Sequence, residues 1–183
     1  MKNIKLLLSV TLCLMALGAY SQALEKGVSK ELAEQRKANI SHVSYDLTFN
    51  IPADLKSKVT GKAVISFILK DKKDIVLDFQ GKLNGNVLVG KKKRSVSTKN
   101  EHIVVPMKFL KPGLVTLTME FTAQDDALNR NADYMYSLFV PDHARSAFPC
   151  FDQPDLRAKF STTLNVPQGW KTMVSDGSNP IPT

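Results

Sequence analysis

The stretch ARSAFPCFDQPDLRAKFSTTLNVPQGW, residues 144–170, decides how the chain is built. Pro149 and Pro154 fix their own φ angles and bias the residues before them toward extended backbone, so no long helix can pass through this stretch. After a short segment at residues 155–158, apolar and polar residues alternate over residues 160–166. This period-2 alternation predicts a half-buried strand.

Asp152 lies between the two prolines of this stretch. A carboxylate in a proline-restricted turn caps nearby backbone N–H groups or pairs with a cation. The sequence therefore predicts that Asp152 either caps the turn at residues 155–158 or pairs with Arg145 or Arg157.

The remainder of the chain repeats the strand pattern. Its clearest alternation covers residues 43–51, and further candidate strands lie at residues 59–69, 75–79, 87–89, 103–105 and 115–121. Short strands at regular spacing, separated by turn residues and with almost no helix, predict an all-β antiparallel sandwich. A helix at residues 29–38 with Ser29 as its N-cap is predicted as a lead-in, and residues 125–133 are predicted to form one long polar connection.

The first 21 of the 183 residues have the pattern of a secretory signal peptide: a basic start, an apolar run at residues 6–19 and small residues before Gln22. The run is too short for a membrane span, and bulky Leu12 makes Cys13 a poor lipidation site, so no stable membrane anchor is expected. Loss of two lysines with this segment lowers the formal charge from +8 to +6. We therefore expect an exported protein that is periplasmic, on the cell surface or secreted.

The net positive charge does not indicate a nucleic-acid partner, because an exported chain meets little nucleic acid and the lysines are scattered. The one basic cluster, at residues 91–94, follows a turn signal and is predicted to be a solvated hairpin tip. Cys150 is the single cysteine of the mature chain, so no intrachain disulfide is expected, and its apolar neighbours predict a buried small hydrophobe.

The residues by themselves indicate no catalytic site. No H-E-x-x-H pattern is present, and His42, His102 and His143 are far apart in the sequence, with the first two expected to be exposed or at a strand edge. No serine lies in a G-x-S-x-G turn, and the aspartates near residues 125–155 are expected to be caps and ion pairs. We therefore expect no metal cofactor in this chain.

The pattern FPCFDxPxxxAxF at residues 148–160, followed by a strand, a proline and a tryptophan, resembles the N-terminal domain of the M1 family of zinc aminopeptidases, the group of aminopeptidase N and leukotriene A4 hydrolase. The likeness extends upstream to YMYS at residues 134–137 and downstream to MVSDG at residues 173–177. It implies a saddle-like β-sandwich over residues 41–183 that is missing its last strands, preceded by a helical lead-in at residues 22–40.

The resemblance also implies that the N-terminal domain and a separate catalytic domain have different roles. In this family the N-terminal domain packs on a catalytic domain that binds zinc, and a loop of the N-terminal domain lines the pocket for the first residue of a peptide substrate. That loop usually presents a glutamine or glutamate to the substrate's free amine, whereas the aligned residues here are apolar: Leu138 and Val140. Two outcomes stay open, namely that these side chains form the pocket wall or that they pack into the core.

Three functional hypotheses follow. The first is an exported N-terminal domain of a zinc aminopeptidase that lacks the catalytic domain in this chain, pairs with that domain in cis and is inactive alone. The second is a stand-alone noncatalytic β-sandwich binding module, and the third is an unrelated module that binds surfaces through its basic charge. A reading frame that continues into an H-E-x-x-H helix distinguishes the first from the second.

Cleavage of the exported protein is expected between Ser21 and Gln22, because small residues precede this bond and the apolar run is short. The intact mass of the secreted or periplasmic protein measures this directly. A retained Met1, or lipid on Cys13, would contradict the assignment.

Overall fold

A computed structural model describes residues 24–173, and the predicted signal segment lies outside them. The part of the chain that it describes has two helices, a 3-10 turn and twelve strands. The helices are α1 (Lys30–Asn39) and α2 (Ala144–Ala147), and the 3-10 turn is Met107–Phe109. The strands are β1 (Ile40–Asn50), β2 (Thr60–Leu69), β3 (Ile75–Asp78), β4 (Lys82–Leu83), β5 (Val87–Val89), β6 (Lys92–Arg94), β7 (Ser97–Lys99), β8 (His102–Val105), β9 (Gly113–Thr122), β10 (Leu128–Arg130), β11 (Met135–Ser137) and β12 (Ala158–Asn165).

These strands form one large sheet, one small sheet and a hairpin. The large sheet has the order β12-β1-β2-β9-β5-β6, with β4 also paired to β9. The small sheet has the order β3-β8-β7, and β10 pairs with β11. All pairs are antiparallel among the described strands except β1 with β12, which is parallel. The predicted all-β antiparallel sandwich is confirmed, with this one parallel pair as an addition.

The core lies between the large and the small sheet because each central strand buries every second side chain. In β1, after the buried Ile40 at its start, the buried side chains alternate as Val43, Tyr45, Leu47 and Phe49. Aromatic rings connect the layers: Phe79, just after β3, lies edge-on to Phe121 of β9 with ring centroids 5.7 Å apart. Both sheets therefore contribute to one continuous hydrophobic core.

Helix α1 begins as predicted, since the Ser29 hydroxyl accepts a hydrogen bond from the Leu32 N–H at 3.2 Å. It is more than a lead-in, because the side chain of Arg36 is buried beneath it against the small sheet. No helix among residues 24–173 is long and apolar enough to cross a membrane.

Strand β12 forms where the sequence predicts it, but its predicted half-burial is wrong. Most of its side chains are exposed, including Phe160. The cause is its position at the edge of the large sheet, where among residues 24–173 it pairs with β1 alone. Phe160 still stacks on Tyr45 of β1, with ring centroids 4.9 Å apart.

The segment at residues 125–133 is not the simple polar connection that its composition predicts. It contains β10, and the side chains of Ala127 and Leu128 are buried. Backbone pairing explains the difference, because β10 forms a ladder with β11 and the Leu138 N–H donates to the Ala127 carbonyl at 2.9 Å. The hairpin at residues 87–94 is confirmed, with exposed lysines at its tip.

Leu117→Ala is expected to lower the free energy of unfolding by about 2–5 kcal/mol, because the side chain is fully buried in the central strand β9 and its loss leaves a cavity. Leu114→Ala, an exposed position on the same strand, is the matched control and is expected to change it by at most about 0.5 kcal/mol. Urea unfolding followed by circular dichroism measures both, and equal effects would contradict the assignment of β9 to the core.

Candidate functional site

The candidate site is the loop at residues 138–142, which connects β11 to α2. Two of its apolar side chains point away from the core: Leu138 is 56% exposed and Val140 is 73% exposed. The possibility that both side chains pack in the core is therefore wrong. The Val140–Pro141 peptide bond is cis. The loop thus presents two apolar side chains on the surface of the domain.

The loop is held at both ends. At its first residue, the Leu138 N–H donates to the Ala127 carbonyl, and the ring of the next residue, Phe139, lies edge-on to the buried Phe148, with centroids 5.6 Å apart. At its last residue, the Asp142 carboxylate lies 3.0 Å from Nη2 of Arg145. The exposure of Leu138 and Val140 therefore belongs to a loop with fixed ends.

Asp152 holds α2, the short helix that follows the loop. Its Oδ2 accepts a hydrogen bond from the backbone N–H of Arg145 at 3.0 Å. The predicted cap on residues 155–158 and the predicted pair with Arg157 are wrong, and the contact with Arg145 runs through the backbone because that residue's guanidinium faces Asp142 instead. Burial raises the pKa of the Asp152 carboxyl above its usual value.

A buried ion pair between Arg36 of α1 and Asp78 of β3 lies behind this motif. The guanidinium donates from Nη2 to Oδ1 at 2.7 Å and from Nη1 to Oδ2 at 2.8 Å, and both side chains are excluded from solvent. Oδ2 also accepts the Asp152 backbone N–H at 2.8 Å. Burial by itself raises the pKa of Asp78, but hydrogen bonds from His102 and Arg36 outweigh it and hold that pKa below its usual value.

His102 completes the cluster, and its predicted exposure is wrong. The ring is only 1% exposed, with Nδ1 2.9 Å from Asp78 Oδ1 and Nε2 2.8 Å from the backbone carbonyl of Glu25. The hydrogen bond to Asp78 raises the pKa of His102 above its usual value. His42, by contrast, is exposed at a bulge in β1, as the sequence indicates, and His143 is exposed before α2.

Backbone contacts fasten the FPCFDQP motif to this cluster. Asp78 and Cys150 exchange backbone hydrogen bonds at 2.7 and 3.1 Å, and the Phe151 N–H donates to the Tyr45 hydroxyl at 2.9 Å. Gln153 reaches α1 through a hydrogen bond from its Nε2 to the Ala33 carbonyl at 3.2 Å.

Cys150 is buried as predicted. Burial raises the pKa of its thiol well above the usual value, so it is not a thiolate nucleophile.

The described residues do not fit a zinc ion. Among residues 24–173 no three His, Cys, Asp or Glu side chains form a group suited to a metal. Both ring nitrogens of His102 already face oxygen atoms of the protein.

Sequence reasoning located the loop but missed the polar cluster behind it. Arg36, Asp78 and His102 lie on three different elements, and nothing in their spacing links them. One signal was present: Asp78 interrupts the apolar run IVLDF at residues 75–79, and a charged residue in a buried strand requires a partner.

The fold and this site define a β-sandwich domain that presents an apolar loop on its surface. The chain belongs to the peptidase M1 N-terminal domain family, whose model matches residues 41–180. The resemblance inferred from the sequence is thereby confirmed.

Two curated relatives are similar to this chain over short segments. Aminopeptidase N of Streptomyces lividans is 37% identical over 68 residues, which cover 34% of this chain and 8% of the relative. The probable M1 family aminopeptidase 1 of Encephalitozoon cuniculi is 34% identical over 109 residues, covering 56% and 12%. The matched segments thus span about a tenth of the length of these relatives.

Solved structures show the same fold. Leukotriene A4 hydrolase from Saccharomyces cerevisiae matches with a TM-score of 0.59 and 16% identity, over 82% of this chain and 26% of that one. An M1 zinc metallopeptidase from Deinococcus radiodurans matches with a TM-score of 0.57 and 17% identity, over 69% and 32%. In both, this fold corresponds to a fraction of a larger protein.

Arg36→Met is expected to lower the free energy of unfolding by about 3–5 kcal/mol, because it leaves the Asp78 carboxylate buried without its main partner. Lys37→Met is the matched control on the same helix. It removes only an exposed ion pair with Asp155 and is expected to have no measurable effect. Denaturant unfolding distinguishes the two, and similar stabilities for both variants would mean that the buried pair does not hold the fold.

Proposed function

We propose that this chain provides the N-terminal domain of an exported zinc aminopeptidase, in which the loop at residues 138–142 forms part of the pocket for the first residue of a peptide substrate. The family match over residues 41–180 supports the class of protein, and two of the relatives are named aminopeptidases. The observation that carries the role of the loop is the exposure of Leu138 and Val140.

Zinc binding and bond cleavage then belong to a catalytic domain that acts in cis with this one. The described residues do not fit a metal, which is consistent with a scaffold role for them. When bound in that other domain, zinc would polarise the scissile carbonyl and activate water. The role of this chain is to position the loop and to exclude water from one side of the pocket.

The chemistry of the loop suggests which substrates it favours. A valine side chain cannot accept a hydrogen bond from the substrate's ammonium group, so amine recognition falls to groups outside this loop. One missing charge-assisted hydrogen bond is worth about 1.5–3 kcal/mol, roughly ten- to hundred-fold in affinity. Leu138 and Val140 instead offer apolar surface, which favours substrates whose first residue is apolar.

Export is part of the proposal. It rests on the basic, then apolar, then small-residue order of residues 1–21, which lie outside the described part of the chain. We infer that the mature protein works in the periplasm, on the cell surface or outside the cell, on peptides that it meets there.

In the full-length protein, Val140→Gln is expected to raise kcat/KM for free-amine peptide substrates, up to about tenfold, because the new amide accepts a hydrogen bond from the ammonium group. Val140→Ala is expected to lower kcat/KM mainly for substrates with an apolar first residue, because it removes apolar contact surface. Steady-state kinetics with a matched set of aminoacyl substrates measures both effects.

Leu114→Ala is the matched control for these kinetics, because Leu114 is also 73% exposed but lies on β9, outside the loop. It is expected to leave kcat/KM unchanged. If neither substitution at Val140 alters kcat/KM beyond this control, the loop does not reach the substrate and its pocket role is wrong.

A further inference from the structure

A short N-terminal strap, residues 24–27, lies across the turn that connects β7 to β8. Asn100 Nδ2 donates to the Leu24 carbonyl at 2.6 Å, and His102 Nε2 lies 2.8 Å from the Glu25 carbonyl. Lys26 Nζ lies 3.3 Å from Oε1 of Glu101. Three consecutive residues of the strap are thus held by residues 100–102, which are the turn and the first residue of β8.

The contact of His102 differs from the other two because the ring is buried and both of its nitrogens face acceptors. Nδ1 lies 2.9 Å from an Asp78 carboxylate oxygen, and Nε2 lies 2.8 Å from the Glu25 carbonyl oxygen. A carboxylate and a peptide carbonyl carry no proton to donate. The Glu25 carbonyl accepts a hydrogen bond only from a protonated Nε2, and the negative charge of Asp78 favours a proton on the nearby Nδ1; together the two contacts favour the imidazolium cation, which alone carries both protons.

We propose that His102 is a proton-operated latch, which holds the strap on the β7–β8 turn while the imidazole is cationic and releases it when the ring becomes neutral. A neutral ring keeps its single proton on Nδ1, because the alternative leaves an unprotonated nitrogen 2.9 Å from the negatively charged Asp78 oxygen. Nε2 then directs a lone pair at the Glu25 carbonyl. Among the contacts described for residues 24–27, the bond between the Glu25 carbonyl and His102 is the one that involves a buried side chain. Neutralisation of the ring breaks this bond.

The charged groups around the ring set the direction of the effect. Asp78 of β3 and the Glu25 carbonyl of the strap favour the cation, whereas burial and the Arg36 guanidinium of α1 oppose it. On the turn itself, Glu101 lies beside Lys26 of the strap. The balance raises the pKa of His102, so the latch is closed below the ordinary histidine pKa and opens as the pH rises through the raised value.

This latch is independent of the proposed peptidase function, since it needs no substrate, no metal and no residue of the loop at 138–142. Its consequence is local. The strap opens while the sandwich stays folded, because the Arg36–Asp78 pair does not depend on the Glu25 carbonyl.

Two measurements on the full-length protein test the latch. Nitrogen-15 NMR of the histidine rings is expected to show His102 protonated on both nitrogens at about pH 5.5, and on Nδ1 alone once the pH exceeds its raised pKa. Trypsin cleavage after Lys26 is expected to become about tenfold faster over the same change, the equivalent of one hydrogen bond to a charged group. Rates are divided by those of a free peptide of residues 22–31, which removes the pH dependence of trypsin itself.

His102→Gln is expected to abolish the pH dependence of cleavage, and His143→Gln, an exposed histidine outside the strap, is expected to retain it. Asn100→Ala is expected to speed cleavage at every pH without changing its pH dependence, since it removes a contact that does not titrate. A His102 ring that is neutral at about pH 5.5, or normalised wild-type cleavage that does not vary with pH, overturns the proposal. The wild-type protein alone provides both readouts, so the test holds even where His102→Gln does not fold.

Discussion

The Arg36–Asp78 ion pair is the interaction on which the arrangement of the domain depends. Its two parallel hydrogen bonds, at 2.7 and 2.8 Å, join the N-terminal helix to the small sheet, and a further bond from the Asp152 backbone joins the FPCFDQP motif to the same carboxylate. A buried carboxylate costs several kcal/mol to desolvate, so it is tolerated only where such donors surround it. Three segments that are distant in sequence are thereby held in one relative position, and that position places the loop at residues 138–142.

Much of the sandwich was predictable because strand formation depends on local alternation. Val43, Tyr45, Leu47 and Phe49 face the core as their spacing requires, and Ser29 caps the first helix as its position requires. Burial at the sheet edge was not predictable from the same pattern. Phe160 alternates as regularly as Phe49 but is exposed, because exposure depends on which elements cover a strand and the strand's own residues do not encode that.

For the candidate site too, the local features were predictable from the sequence and the tertiary contacts were not. The motif at residues 148–160 located Leu138 and Val140 in a loop, and the structure shows both side chains at the surface. The buried partners behind the loop escaped prediction because Arg36 has the sequence context of an ordinary basic residue near a helix C-terminus, and His102 that of a turn residue. Charge pairing across a fold is a tertiary property, so a single sequence gives at most a hint, such as an aspartate in an apolar strand.

The parallel pairing of β1 with β12 has a consequence for the order in which the domain is assembled. Val43 pairs with Ala158, and the ladder continues to Asn50 and Asn165, so the first and last described strands lie side by side. During vectorial synthesis β1 emerges early and must wait for almost the whole domain before this neighbour arrives. Closing so long a loop is entropically costly, which makes the edge of the large sheet a late event and leaves β1 without that partner in the nascent chain.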